Sequence, residues 1–351
     1  MILHSDRYFW AAGLLAAMTS LGAQAAPVPK DLVDAQIYTK PQQLVAVEGD
    51  RKLNLECMGE GKPTVVLEAG LGSPLTDWRL VQARIAKFTR VCAYERAGYG
   101  FSDPAQRPSD VTNVVDDLHK LVRRAKIARP FVLVGHSIGG LYATVYKVTY
   151  PHDVAGMVLI DPSFAGQMMA PTASWTPAEI KAWQDTNGKE KTEIEGCLKM
   201  AVSGGFAKPE NQKSDCLDNP PDPDPIIHAA LNREFSQPGT YAAVLSEAAN
   251  FMAADPRKAS VDDTEGLAAK ADFGAMPLVV LTAANHITMG GMDKHQNETM
   301  TSTWIAGHDA LAARSAVGKN VTVKSSHFIQ KEQPDIVVQT IQTMVEGLPR
   351  K

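Results

Sequence analysis

The chain has 351 residues, with 35 basic against 39 acidic side chains and a formal net charge of -4. Its 44% hydrophobic and 21% charged residues are typical of a globular protein and exclude a disordered, collagen-like or coiled-coil chain. The sequence shows no long basic run that would neutralise a series of phosphates, so nucleic acid is not an expected partner. The length predicts one α/β core with a sizeable insertion.

The first 25 residues differ in character from the rest. Arg7 precedes an apolar run over residues 8–18, and Ala23-Gln24-Ala25 has the small-x-small pattern that a signal peptidase reads. A membrane anchor is disfavoured because the apolar run is too short to cross about 30 Å of hydrocarbon. We predict a signal peptide over residues 1–25, cleavage after Ala25, and a secreted or periplasmic protein with no membrane span in the mature chain.

The predicted export signal decides how the four cysteines are interpreted, because it sets the redox environment. An oxidising compartment favours disulfides, and four cysteines allow three pairings. We expect local pairing, Cys57 with Cys92 and Cys197 with Cys216. Free buried thiols are the alternative.

The predicted elements alternate between strands and helices along the chain. Residues 44–47 and 52–57 are typical of a hairpin. Four apolar runs are typical of strands buried on both faces: 64–67, 90–94, 131–134 and 157–160. Helical periodicity covers 111–125, helix-like segments at 176–185 and 241–254 follow, and the strands 278–281 and 321–323 precede a last helix at 336–345. This order predicts a mainly parallel, doubly wound sheet. Its core comprises residues 26–163 and 276–351, and a helical insertion at 164–275 follows the sixth strand.

The strongest motif is Gly135-His136-Ser137-Ile138-Gly139-Gly140, between a predicted strand and a predicted helix. A nucleophile elbow has this order, because its serine occupies a sharp turn that only small flanking residues permit. The alternative is an ordinary glycine-rich turn. A phosphate-binding loop is disfavoured, since neither its glycine spacing nor its lysine is present.

A serine nucleophile needs a base that is oriented by an acid. His327 is the predicted base, because it lies in the loop after strand 321–323, at the sheet edge where sites gather. Asp161, which ends strand 157–160, is the predicted acid, and Asp293 is the alternative. The other histidines outside residues 1–25 are expected on helices, on the surface or, for His136, inside the elbow and pointing away from Ser137; they include His119, His152, His228 and His308.

The oxyanion of an acyl transfer needs two backbone donors. The N–H of Ile138, at the start of the elbow helix, is the first predicted donor. The second is the N–H of Leu71, in the loop Ala69-Gly70-Leu71-Gly72 after strand 64–67. The alternative for that loop is a plain tight turn.

Several ordered motifs together resemble the α/β-hydrolase fold superfamily, specifically its secreted bacterial serine hydrolases with a helical cap domain. They are residues 67–72, the segment Cys92 to Asp103, the elbow, residues 159–163 and Ser326-His327-Phe328-Ile329. The resemblance implies the chain order Ser137, acid, His327. Most members carry the acid after the strand that is here 278–281, whereas Asp161 matches the relatives that place it one strand earlier. No catalytic role is transferred onto Glu95-Arg96, which looks like the family's structural turn.

The sequence therefore predicts a serine hydrolase that acts on a small-molecule carboxylic ester. An amidase, aminopeptidase or lactonase with the same residues is the alternative, with Glu234 or Glu247 as nominal anchors for an amine. A non-catalytic binding protein is a second alternative. No cofactor or metal is predicted, because His286, His295 and His308 lack metal-ligand spacing and Asp218, Asp222 and Asp224 are interleaved with prolines. Met168, Met169, Trp175, Phe251 and Met252 are expected either to line an acyl pocket or to pack the insertion.

Overall fold

The computed structural model describes residues 31–217, 221–285 and 293–349. The predicted signal peptide, Asp218 and His286 lie outside these residues.

One eight-stranded sheet organises the chain, in the order β1-β2-β4-β3-β5-β6-β7-β8. The strands are β1 Gln43–Glu48, β2 Arg51–Met58, β3 Val65–Glu68, β4 Val91–Tyr94, β5 Phe131–His136, β6 Val154–Ile160, β7 Leu278–Ala283 and β8 Lys319–Val323. β2 pairs antiparallel with β1 and β4, and the other neighbouring pairs are parallel. The carboxyl ends of β3 and β5 to β8 therefore meet at one edge.

Helices cover both faces of the sheet. They are α1 Gln82–Ile85, α2 Val111–Arg124, α3 Ile138–Thr149, α4 Met169–Thr172, α5 Pro177–Val202, α6 Pro225–Phe235, α7 Pro238–Phe251, α8 Val261–Ala268, α9 Lys294–Ala312, α10 Ile329–Glu332 and α11 Pro334–Gly347. Because strand side chains alternate between faces, Val66 packs with the α2 and α3 side and Val65 with the α1 and α11 side. Strands buried on both faces explain the apolar runs without alternation.

The stretch between β6 and β7 is helical, as the sequence predicted. Its first long helix, α5, extends well beyond the predicted 176–185. Thr176 and Glu179 form a capping box at its start, and the pairs Lys189–Glu193 and Lys191–Glu195 support its later turns. The predicted helix at 241–254 begins earlier, with Pro238 in its first turn, and ends at Phe251.

Both predicted cysteine pairs are disulfides in the structure. Cys57 and Cys92 are register partners on the neighbouring strands β2 and β4. Cys197, on α5, is joined to Cys216, and both belong to a cluster of buried side chains inside the helical insertion.

A membrane crossing requires a long apolar helix. Within the three described ranges, no helix has that length and apolarity.

Candidate active site

Ser137 lies at the sharp turn between β5 and α3. Its backbone has φ 53° and ψ -125°, a region that side chains other than glycine rarely adopt. A Cβ on Gly135 would lie 2.4 Å from the Gly139 carbonyl oxygen, and one on Gly139 would lie 2.5 Å from the Glu68 carbonyl oxygen. Both glycines are thus required for the turn and for the close approach of α3 to the end of β3. This strained turn has the geometry of a nucleophile elbow.

Asp161 and His327 meet beside that turn. His327 Nδ1 lies 2.6 Å from Asp161 Oδ2, and the Ser137 N–H donates to the Ile160 carbonyl, 3.1 Å away. The other carboxylate oxygen, Oδ1, accepts hydrogen bonds from the Ala283 N–H at 3.0 Å and from Trp304 Nε1 at 2.9 Å. These donors hold the carboxylate so that Oδ2 faces the imidazole. Because Nδ1 donates to Asp161, Nε2 is the nitrogen left to accept a proton.

Asp293, the alternative acid, has a different contact set. Its carboxylate caps α9 by accepting the Gln296 N–H at 2.9 Å, and the Gln296 side chain accepts the Asp293 N–H at 3.0 Å. The structure brings Asp161 to His327 and places Asp293 at a helix N-terminus. The capping box Asp-x-x-Gln marks this position directly before α9 in the sequence.

Two further groups hold the loop that carries His327. Glu332 accepts hydrogen bonds from the Ser325 hydroxyl at 3.0 Å, from the Ser326 N–H at 2.9 Å and from the Ser326 hydroxyl. Partial burial acts to raise the pKa of Glu332, but these hydrogen bonds outweigh it and lower the pKa. The His327 carbonyl accepts a hydrogen bond from His136 Nε2, 3.1 Å away. Burial lowers the pKa of His136 well below its usual range, and repulsion from His327 adds to this, so His136 is a neutral structural link.

The loop after β3 lies next to the start of α3. A Cβ on Gly139 would be 2.6 Å from the Ala69 carbonyl oxygen, so the loop and the first helical turn are in direct contact. The Ile138 N–H is in that first turn and has no acceptor inside the helix. Gly72 has φ 69° and donates its N–H to the Tyr99 hydroxyl at 3.3 Å. Leu71 and Ile138 thus belong to two segments that contact each other.

The family follows from this fold and from the match of residues 65–340 to a family model described as "Alpha/beta hydrolase family". The chain belongs to the alpha/beta hydrolase family. The match spans the nucleophile elbow, Asp161 and His327.

The individual relatives of this chain are distant. An uncharacterised protein of Schizosaccharomyces pombe is 32% identical over 150 residues, which cover 34% of this chain and 28% of that protein. The structure resembles that of an enol-lactonase from Burkholderia xenovorans, with 19% identity, a TM-score of 0.53 and coverage of 86% and 99% of the two chains. It also resembles Est816, described as an N-acyl homoserine lactone degrading enzyme, with 19% identity, a TM-score of 0.56 and coverage of 86% and 100%. The curated relative is covered over less than a third of its length, and both solved structures show the fold alone.

Trp304 and His308 on α9, which the sequence motifs did not indicate, also lie beside Asp161. His308 lies on a helix, one of the two expected positions, and is fully buried. Its Nε2 donates to the Pro162 carbonyl at 2.8 Å, and its Nδ1 lies 2.7 Å from the Thr282 hydroxyl and 4.0 Å from Asp161 Oδ1. The spacing of four residues between Trp304 and His308 places both side chains on one face of α9, but it does not indicate which strand end that face meets.

The two glutamates considered as amine anchors are buried. Glu247 is 1% exposed and binds the Arg96 guanidinium at 2.6 and 3.0 Å. Glu234 is 4% exposed, and burial, with repulsion from Glu95, raises its pKa to about 8. Neither side chain presents a free carboxylate to a bound amine.

Of the insertion residues considered for an acyl pocket, most pack against protein. Trp175 and Met168 join a cluster with Ile180, Trp183 and Met300, and Phe251 packs on the main core. Met252 lines an apolar groove between α5 and α7. These contacts favour the packing interpretation for Met168, Trp175 and Phe251.

One group in the described ranges brings potential metal ligands together. The ligand atoms of Glu179, Asp293 and His295 lie within 4.8 Å of one another. Both carboxylates already cap helices, and Glu179 also accepts from His295 Nδ1 at 2.7 Å. Asp224, one of the aspartates considered for calcium, caps α6 and binds Arg79 at 2.7 Å.

Proposed function

We propose that this protein is a serine hydrolase that cleaves carboxylic esters through an acyl-enzyme on Ser137. The observation that carries the proposal is the 2.6 Å contact between His327 and the Asp161 carboxylate beside the strained turn at Ser137. A serine on an elbow, an imidazole and a carboxylate bound to Nδ1 are the components of a catalytic triad.

The three side chains have different tasks in the proposed reaction. Ser137 Oγ attacks the ester carbonyl while His327 Nε2 takes its proton, and the Asp161 carboxylate stabilises the resulting imidazolium. His327 then protonates the departing alcohol. In the second half, His327 takes a proton from a water molecule that attacks the acyl-enzyme. His327 then gives that proton to Ser137 Oγ as the carbon–oxygen bond to serine breaks and the carboxylic acid leaves. Every proton transfer passes through His327, and no cofactor or metal enters these steps.

The backbone N–H groups of Leu71 and Ile138 are the proposed oxyanion donors. Charge develops on the carbonyl oxygen in each tetrahedral intermediate, and fixed donors aimed at it lower both barriers. The direct contact between the Ala69 carbonyl and the first turn of α3 supports a shared position for the two donors.

Esters are favoured over aminopeptidase substrates because neither Glu234 nor Glu247 has a carboxylate available to bind an amine. Glu247 is neutralised by Arg96, and Glu234 is buried with a raised pKa. Lactones are cyclic esters that the same nucleophile would open, and two structural neighbours are described as lactone-cleaving proteins. Lactones therefore belong in any substrate panel.

We also propose that residues 164–275 form a helical cap on a core of residues 26–163 and 276–351. The insertion begins shortly after Asp161. Its Glu247 binds the core residue Arg96, which in turn binds the loop after β3. Export to an oxidising compartment is part of the proposal, and the two disulfides support it.

The proposal is tested by hydrolysis of a panel of short and medium acyl esters, lactones and aminoacyl arylamides. Ser137→Ala should lower ester turnover by at least about a thousandfold. The control, Ser203→Ala at the exposed end of α5, should match wild type. Equal activity in Ser137→Ala and wild type would contradict the mechanism, and faster cleavage of aminoacyl arylamides than of esters would contradict the substrate class.

A further inference from the structure

Arg96, which follows β4, is a fully engaged buried cation. Its exposed fraction is 6%, and all five of its N–H donors have an acceptor. Nε and Nη2 bind Glu247 at 2.6 and 3.0 Å, and Nη1 binds Glu68 at 2.9 Å. The remaining two donors bind backbone carbonyls of the loop after β3, those of Ala69 at 2.8 Å and Gly70 at 2.7 Å.

The contact with Gly70 orients one particular N–H group. The Gly70 carbonyl and the Leu71 N–H belong to the same peptide unit, which is planar and is not one of the cis bonds of the chain. In a trans peptide the C=O and N–H bonds point in opposite directions. Fixing the Gly70 oxygen on Arg96 therefore aims the Leu71 N–H away from Arg96. A cation on the carbonyl oxygen also polarises the peptide and strengthens its N–H as a donor.

We propose that Arg96 is a positioning residue that aims and polarises the Leu71 N–H toward the oxyanion, and that Glu247 of the insertion holds Arg96 in place. The inference rests on the proposed function, because it assigns Leu71 to the oxyanion hole.

Glu247 connects this arrangement to the insertion. It lies on α7, is 1% exposed, and accepts from the Tyr99 hydroxyl at 2.8 Å as well as from Arg96. The Tyr99 hydroxyl in turn accepts the Gly72 N–H. Arg96 and Tyr99, the two residues that hold the loop, thus both donate hydrogen bonds to the Glu247 carboxylate on α7. The insertion contributes to the oxyanion hole through that carboxylate.

Lysine cannot reproduce the arrangement. Its ammonium has three donors on one nitrogen, so it keeps the charge but cannot bind two carbonyls and two carboxylates at once. Arg96→Lys therefore keeps the positive charge at this position but loses the contacts that orient the Leu71 N–H. Glu247→Gln is the milder variant, because it keeps an oxygen acceptor for Arg96 and removes the charge.

A matched control is available on β2. Arg51 is 5% exposed and binds the Asp117 carboxylate with two donors, of which Nη1 lies at 2.8 Å, but it does not contact the loop after β3 in the described contacts. Arg51→Lys therefore perturbs a buried arginine–carboxylate pair outside the proposed oxyanion hole.

The test compares an oxoester with its thionoester in wild type and in the three variants. In a thionoester the charge develops on sulfur, a larger and weaker acceptor than oxygen, so a well-aimed oxyanion donor favours the oxoester. We expect Arg96→Lys to lower kcat on the oxoester by about a hundredfold with KM within about threefold, and to lower the oxoester/thionoester ratio about tenfold. Glu247→Gln should lower the ratio by a smaller factor, and Arg51→Lys should leave it unchanged.

A merely structural role predicts another outcome. A variant that only loses folded protein loses activity on both esters equally. An unchanged oxoester/thionoester ratio in Arg96→Lys and Glu247→Gln would overturn this inference and leave the proposed function standing. If Arg96→Lys does not fold by circular dichroism, the ratio in Glu247→Gln decides. If wild type cleaves neither ester, the proposed function fails and this inference fails with it.

Discussion

The position of Asp161 is explained by what binds its second oxygen. The Ala283 N–H at the end of β7 and Trp304 on α9 both donate to Oδ1, so two elements other than β6 orient the carboxylate. An acid at the end of β6 thereby reaches His327 without a carboxylate on β7. The departure from the commoner family pattern is thus compensated by the strand next to it.

Replacing the two candidate acids separates their roles. Asp161→Asn should lower kcat on a cleaved ester by roughly 10³- to 10⁴-fold, because an amide no longer stabilises the imidazolium or fixes its tautomer. Asp293→Ala should leave kcat unchanged and cost about 1 kcal/mol of stability through the lost cap of α9. Steady-state kinetics and urea unfolding of both variants measure this. Equal kinetic losses in both would contradict the assignment.

Much of the candidate site could be predicted because its residues occupy turns with local signals. Gly135 and Gly139 mark the elbow, and Asp161 and His327 each follow an apolar strand. Trp304, His308 and Arg96 could not be found in this way. Their roles depend on which helix packs against which strand end, and one sequence does not encode that in any local pattern.

At the scale of elements, the turn after β4 meets α6 through two buried carboxyl groups. Glu95 accepts hydrogen bonds from Asn54 and from the Phe101 N–H, yet burial raises its pKa to about 7. Glu234 on α6 has a pKa of about 8, raised by burial and by Glu95, with Arg233 and Asp77 as further charged neighbours. The folded state therefore retains protons that the unfolded chain releases at lower pH.

This pair predicts a stability that falls as pH rises. Between about pH 5 and pH 8 the unfolded Glu234 is ionised while the folded one holds its proton, so each pH unit costs up to roughly 1.4 kcal/mol. Glu234→Gln should remove that part of the slope and raise stability at pH 8 relative to pH 5. Urea unfolding at several pH values tests this, with the exposed Glu210→Gln as control. Parallel stability curves for wild type and Glu234→Gln would contradict it.

Element boundaries were predicted less well than element types. The helix predicted at 176–185 continues to Val202. Its later turns begin with a charged and polar stretch, residues 186–193, and continue with the buried Ile194, Cys197 and Ala201 at helical spacing. Their stability comes from ion pairs four residues apart and from buried contacts at Ile194 and Cys197. The strands were predicted more closely, since burial on both faces leaves a continuous apolar run.

At the scale of the whole molecule, the two disulfides lie in different parts of the fold. Cys57–Cys92 joins neighbouring strands of the core, and Cys197–Cys216 closes a segment of the insertion with a sequence separation of 19 residues. The pairing could be predicted because each pair is local in sequence. The packing of the insertion on the core could not be predicted, because that contact depends on Glu247 and Arg96, which are far apart in the chain.

Removing the second disulfide should destabilise the protein without changing its chemistry. Replacing both Cys197 and Cys216 by alanine should cost about 3 kcal/mol, the loop entropy of a closure of this length. Thermal unfolding with and without a reductant measures it, and ester turnover per folded molecule should match wild type. An unchanged melting temperature in the double variant would contradict the predicted contribution.

The proposed reaction depends on Ser137 as a nucleophile that is activated by His327 and Asp161. The most direct measurement is labelling of the folded protein with a fluorophosphonate probe, followed by mass spectrometry of the labelled peptide. We expect one probe per chain on Ser137, no label in Ser137→Ala, and strongly slowed labelling in His327→Ala. Folded wild-type protein that stays unlabelled, or carries its label on another residue, would contradict it.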